Sequence, residues 1–310
     1  MMKKRFLNQL VSHWKTWRGH GWFTKRSAKT NNILTYISVL MIPVLSGAFT
    51  GITAAAEQTR IAIAIDPEGQ TCVLGGGVNG ILQSAELITK LLKPRQDFKL
   101  YNLHGRQNTT LWPIGQVREI ETDTCNPHYR QKLSLTPAEI GKAQVAIFDG
   151  GSTKRIAVLP KILQTMNIDN EKYSKILSTY LESQKLKEAP VKIHQLIRTD
   201  LNGDGKHEII INAINTKRVL DRKGEYSIVL VVREGNGKPV VEAIQSEITL
   251  EDSDLPVVLW ENTIAAIADI DADGKMEIIM YGQFYHGQGW DLVRSKNLTQ
   301  ERPIICGCGG

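Results

Sequence analysis

Apolar and polar positions change period along this chain, and the change divides it. Residues 60–65, 71–74, 98–103, 144–148 and 156–159 are short runs rich in Ile, Val and Leu. Gly, Pro, Asn or Asp bound them, so they predict strands. Residues 84–92 predict a helix. Thr136-Pro137-Ala138-Glu139 has the form of a capping box with proline at the first helical position, which predicts a second helix start. Between residues 169 and 186, Tyr173, Ile176, Leu177, Tyr180 and Leu181 recur at i, i+3, i+4, an apolar stripe for packing. After Pro190 the pattern returns to strands. The expected fold class is α+β: a mixed α/β domain over residues 57–188, then a β-rich module over 189–310.

A different pattern precedes these domains. Residues 33–56 carry no charge over twenty-four positions, enough to span a bilayer core. Residues 1–32 hold Lys3, Lys4, Arg5, Lys15, Arg18, Lys25, Arg26 and Lys29 and no acid. The positive-inside rule keeps that leader in the cytoplasm and sends the rest across the membrane. Ala54-Ala55-Ala56 fits a signal-peptidase site, while the long leader fits an uncleaved anchor. Both readings make the later domains extracytoplasmic, either secreted or membrane-anchored. Trp14, Trp17, Trp22 and Phe23 among the leader bases suit an anionic inner leaflet.

Charge then narrows the function. The chain has 38 bases and 32 acids. Eight of the bases lie in the leader, so the part after residue 56 is slightly acidic and lacks a nucleic-acid footprint. Cys72, Cys125, Cys306 and Cys308 allow three pairings in an oxidising compartment. Cys72–Cys125 is favoured, because a ring closed across one residue at 306–308 is strained.

The most specific chemistry is an acidic loop written twice, sixty-nine residues apart. Asp200, Asn202, Asp204, Gly205 and Glu208 form the first copy; Asp269, Asp271, Asp273, Gly274 and Glu277 form the second. Side chains on alternate residues of a tight loop converge on one point, and hard oxygen donors suit Ca²⁺. An EF-hand requires a bidentate Glu at the twelfth position, where these loops have Ile211 and Met280. The last acid falls at the ninth position, and strand-like Ile runs follow it.

The segments from Ile197 to Ile210 and from Ile267 to Ile279 resemble the FG-GAP/VCBS repeats of integrin-type β-propellers. The resemblance implies metal binding through the side chains of Asp200, Asn202, Asp204 and Glu208 with the Lys206 carbonyl. It implies a second set of Asp269, Asp271, Asp273 and Glu277 with the Lys275 carbonyl. With four carboxylates against three, the second loop is expected to bind more tightly, in a range of roughly tens of micromolar to millimolar.

Other motifs carry less. Gly75-Gly76-Gly77-Val78-Asn79-Gly80 fits G-x-G-x-x-G but lacks the acid that closes a dinucleotide fold, so it reads as a glycine-rich turn. No serine elbow, phosphate loop or zinc-protease motif is present. His286 and Asp291 are the best pair for acid–base work, yet their surroundings read as a hairpin, and no catalytic residue is assigned. The expected function is a calcium-binding extracytoplasmic protein whose β module presents a surface to a protein or glycan. The alternative is a hydrolase of envelope polymers with structural calcium; a third reading has modules from several chains assembling together.

Overall fold

The computed structural model describes residues 58–309, apart from 123–124, 151–155, 217–221, 236, 253–258, 285–286 and 297–298. Side chains are not described at 122, 125–126, 284, 295–296 and 299–309. The leader and residues 33–56 lie outside the described residues. Among the described residues, no helix is long and apolar enough to cross a membrane.

The chain begins with strands β1 (Thr59–Ile65), β2 (Thr71–Val78) and β3 (Ile81–Gln83), then a short helix α1 (Ala85–Thr89). Strands β4 (Phe98–Asn102) and β5 (Gly105–Leu111) follow, then the hairpin β6 (Arg118–Thr122) and β7 (Cys125–Arg130), and β8 (Gln144–Gly150). A six-stranded sheet forms in the order β3-β2-β1-β8-β4-β5, and every neighbouring pair in it is antiparallel.

Next come β9 (Leu163–Thr165), helix α2 (Glu171–Ser183), β10 (Ile193–Thr199), β11 (Glu208–Asn215), β12 (Tyr226–Glu234) and β13 (Pro239–Ile248). The last four make an antiparallel meander, with β9 added at its β10 edge. A second meander closes the chain: β14 (Glu261–Ala268), β15 (Glu277–Phe284), β16 (Gly287–Lys296) and β17 (Thr299–Gly309).

Period-two alternation assigns each strand face to a different core. In β1, Ile61, Ile63 and Ile65 face a cluster with Ile88, Phe98, Leu100 and Leu111. Ala62 and Ala64 face the opposite way, onto Ala266, Ala268, Ile279 and Trp290 of the last meander. The other face of that meander, through Ile264, Ile267, Ile278 and Met280, meets Ile197, Ile210, Val229 and Val231 of the β10–β13 sheet. On the far side of that sheet, Ile209, Ile211, Leu230 and Val232 pack against Tyr173, Leu177 and Leu181 of α2. Three sheets and one helix therefore stack in layers. The last meander lies in the middle with both faces covered, which explains the unbroken apolar run from Ile264 to Ala268. Fully burying one Ile contributes about 1.5–3 kcal/mol, so these interlayer faces dominate stability.

The expected α+β class is corrected: the described fold is predominantly antiparallel β, with two α-helices. The segment read as a helix over 84–92 keeps only Ala85–Thr89, with Ser84 as its cap and Ile88 its one buried side chain. Leu87 and Leu91 point outward, so there is no stripe to cover a sheet. The capping box forms, the Thr136 amide donating to Glu139 Oε2 at 2.6 Å, but it closes a single 3-10 turn at Pro137–Glu139. Residues 156–159 are not a strand. Strands β5, β6 and β7 are not legible in the pattern, because they are polar edge and hairpin segments with no buried alternation to announce them. The helix expected over 169–186 does form, as α2, and it belongs to the β10–β13 layer.

Candidate metal centre

The acidic loops occupy the same place in the two meanders: one joins β10 to β11, the other β14 to β15. They are also wound by the same hydrogen bonds. In the first, Asp200 accepts from the amides of Gly203 (2.8 Å) and Gly205 (3.1 Å). Asn202 accepts from Asp204 (3.0 Å), Asp204 from Lys206 (2.8 Å), and Glu208 reaches back to the Leu201 amide (2.9 Å). In the second, Asp269 accepts from Ala272 (2.6 Å) and Gly274 (2.9 Å). Asp271 accepts from Asp273 (3.1 Å), Asp273 from Lys275 (2.8 Å), and Glu277 from Ile270 (2.9 Å). Short Asp and Asn side chains bonding amides two to five residues ahead make this winding local and sequence-encoded. Gly205 and Gly274 adopt positive φ, 84° and 87°, as the turn requires.

The loops lie side by side. The Met276 amide donates to the Leu201 carbonyl at 2.8 Å, and a Cβ built on Gly203 would sit 3.1 Å from the Gly274 oxygen. Against the second loop runs the glycine stretch of β2. A Cβ on Gly77 would fall 2.2 Å from the Asp271 Cα, and one on Gly76 would fall 2.0 Å from the Arg60 carbonyl oxygen. The expected glycine-rich turn is thus corrected: Gly75–Gly77 are strand residues, and Gly77 is bare because the second loop is seated on it, Gly76 because the β1 backbone lies against it. The turn itself follows, at Asn79 and Gly80.

Cations from distant strands meet the acids. Arg60 of β1 is completely buried; its Nη1 donates to the Asp269 carbonyl at 2.6 Å and lies 3.3 Å from Asp269 Oδ1. Its Nε bonds Asp149 Oδ1 at 3.1 Å, and its Nη2 bonds the Ile156 carbonyl. Arg294, paired with Glu277 in register, bonds Asp271 Oδ2 at 2.6 Å and Asp273 Oδ2 at 3.2 Å, and lies 3.7 Å from Glu277 Oε1. The matching residue of the first meander, Arg233, reaches Glu208 only at 4.0 Å and makes its short bond, 2.8 Å, to Glu242.

Burial and crowding perturb these acids. Burial first, then the Asp273 charge, pushes the Asp271 carboxyl up to about 6 despite Arg294. Glu277 is held well above the carboxylate range by burial and then Asp271. Burial also raises Asp269, against the pull of Arg60, and Glu208, against its Leu201 bond and Arg233.

Ligand atoms of Asp269, Asp271 and Asp273 all lie within 4.8 Å of one another, so these three could hold a metal ion. An all-oxygen donor set suits hard cations. The fold also gathers Glu277 and the Lys275 backbone into this loop, and Asp200, Asn202, Asp204, Lys206 and Glu208 into the other. Sequence reasoning missed Arg60, Arg233 and Arg294. For the latter two a signal existed, since Val231-Val232-Arg233 and Leu292-Val293-Arg294 occupy the third strand of each meander.

Cys72, in β2, is disulfide-bonded. The side chains of Cys125, Cys306 and Cys308 lie outside the described residues, so the expected pairing with Cys125 is not resolved. His286 also lies outside them; Asp291 is in β16. No protein-family model, curated protein or solved structure matches the chain.

Proposed function

We propose that this is an extracytoplasmic calcium-binding protein whose β module, ordered by Ca²⁺, presents a surface to a protein or glycan. The observation that carries this reading is the repetition of one hydrogen-bond frame, five bonds to the same four acceptor positions, at the same turn of two successive meanders. A four-stranded antiparallel sheet is also the make-up of a propeller blade, in keeping with the resemblance to FG-GAP/VCBS repeats. The disulfide at Cys72 accords with an oxidising compartment.

Calcium would act as a staple. Carboxylates with raised pKa values repel one another and resist burial; a divalent ion offsets both costs and ties two adjacent hairpins together. The expectation of a tighter second loop counted carboxylates alone. Arg294 lies against three of them, so its charge offsets the advantage and brings the two loops level. Metal-stripped protein titrated with Ca²⁺, with Mg²⁺ as competitor, tests the reading: saturable Ca²⁺ binding that stiffens the module supports it. Absence of binding at millimolar Ca²⁺ would reduce the loops to acidic turns.

A further inference from the structure

The end of the six-stranded sheet where β1 starts collects exposed apolar side chains. Thr59 opens β1 opposite Val78 of β2 and Gly150 of β8. The Gln58 amide donates to Asn79 Oδ1 at 3.1 Å and the Asn79 amide to the Gln58 carbonyl at 2.8 Å, so the turn after β2 is pinned beside that start. Ile81 follows the turn and pairs with Val78; at 64% it is the most exposed large apolar side chain among the described residues. The other edge of the sheet ends the same way. Pairing carries the row of Ile61 through Phe148 and Phe98 to Leu111. Three successive antiparallel pairings run β5 opposite to β1, so Trp112, one residue past Leu111, lies at the same end, 50% exposed.

Bases accompany these side chains. Strand β4 starts at Phe98, in the row of Ile61, and runs away from this end, so residues 90–97 return to it. They bring exposed Lys90, Lys93 and Arg95 against one acid, Asp97. Lys132 is exposed beside Trp112: its carbonyl accepts from the Ile114 amide at 2.8 Å, and the Ser134 amide donates to the Trp112 carbonyl at 3.1 Å. Of the acids at this end, Asp149 is paired with Arg60, and those of the second acidic loop, which abuts Gly80, with Arg294.

An indole and an aliphatic side chain flanked by bases match a bilayer interface, where the ring sits at headgroup level and the bases are drawn to anionic lipid. Chain length decides for a bilayer over a protein partner. The uncharged residues 33–56 stop three residues before Thr59. Three extended residues reach about 10 Å, close to the roughly 5–8 Å of one headgroup layer, and no protein domain fits in that gap. We propose that this end of the sheet, with Ile81 and Trp112 at its corners and Lys93, Arg95 and Lys132 around them, docks on the headgroups of an anionic phospholipid bilayer. Such docking presupposes the membrane-anchored reading of residues 33–56 and adds an orientation to it.

Photo-crosslinking on the full-length chain in vesicles of phosphatidylcholine and phosphatidylglycerol tests the docking, with chelator present so that the outcome is independent of calcium. A benzophenone side chain replaces, one at a time, Ile81, Trp112, Val44 of the uncharged segment, and Ile168. Ile168 is 43% exposed and follows β9, which runs away from the acidic loops and so from this end of the sheet. Lipid adducts are expected at positions 44, 81 and 112 and not at 168. Adducts at 81 and 112, but not at 44, should fall about fivefold in Lys93→Glu/Lys132→Glu, a variant that should keep the wild-type melting temperature. Withholding phosphatidylglycerol reads the same charge dependence without a substitution.

Adducts at 44 alone would leave the anchor standing and overturn the docking. Equal adducts at 168, adducts between two copies of the chain at 81 or 112, or adducts indifferent to lipid charge would also overturn it. No adduct even at 44 would remove the anchor, and the docking with it.

Discussion

Arg294 decides how the second loop behaves when no metal is present. Its guanidinium spans Asp271, Asp273 and Glu277, so it acts as an internal counterion and, on the calcium reading proposed above, would compete with the ion. Arg294→Gln should lower metal-free stability by roughly 2 kcal/mol, because buried carboxylates lose a charge-assisted partner. The same change should tighten Ca²⁺ at the second loop by about tenfold, restoring the advantage of its fourth carboxylate. Thermal melts and calorimetry on the variant read both effects. The Asp271 titration gives a second prediction. Folding raises its pKa from 3.8 to about 6, so between those values the native metal-free protein binds more protons than the unfolded chain. Its stability should therefore fall as pH rises through that window. Calcium needs the ionised form, so Ca²⁺ affinity should rise over the same range. Melting of metal-stripped protein across the window, beside Ca²⁺ titrations at each pH, would show the opposed slopes or their absence. The loop acids were legible in the sequence because their partners are local amides. Arg60 was not, since its contact with Asp269 spans 209 residues and depends on which sheet stacks on which.

At the scale of elements, β2 shows what periodicity can and cannot say. Its glycines satisfy a turn reading as well as a strand reading, and only the stacking of the second loop onto Gly77 separates the two. Gly77→Val should drive a side chain into the Asp271 backbone. Lifting the loop should cost about 1–3 kcal/mol or more and remove one of two Ca²⁺ binding events, leaving the loop at Asp200–Glu208 intact. Two full events in a stable Gly77→Val protein would mean the loop does not depend on β2. The strands that bury both faces, such as β11 and β12, were announced by their Ile and Val runs. Helix α2 was announced by its stripe, with Tyr173, Leu177 and Leu181 buried. The short helix after β3 is shorter than its pattern implies, because Leu87 and Leu91 count as apolar in a pattern yet lie outside the core. Polar edge strands such as β5 take their structure from the neighbour they pair with, which a single segment does not reveal.

Across the whole molecule, the layered stack places both acidic loops where three elements converge: the glycine strand of the first sheet and the leading turn of each meander. Calcium at that junction should tie layers that otherwise hold by apolar packing, so its effect should be global stability rather than a local ordering of loops. Saturation at about one hundred times the dissociation constant should contribute about 2.7 kcal/mol per site. The most direct measurement is calorimetric Ca²⁺ titration of the full-length chain, beside its melting temperature with Ca²⁺ and after metal removal. Two binding events and a raised melting temperature are expected, both lost in Asp204→Ala/Asp273→Ala. No heat and no shift at millimolar Ca²⁺, from protein that melts cooperatively, would contradict the calcium account.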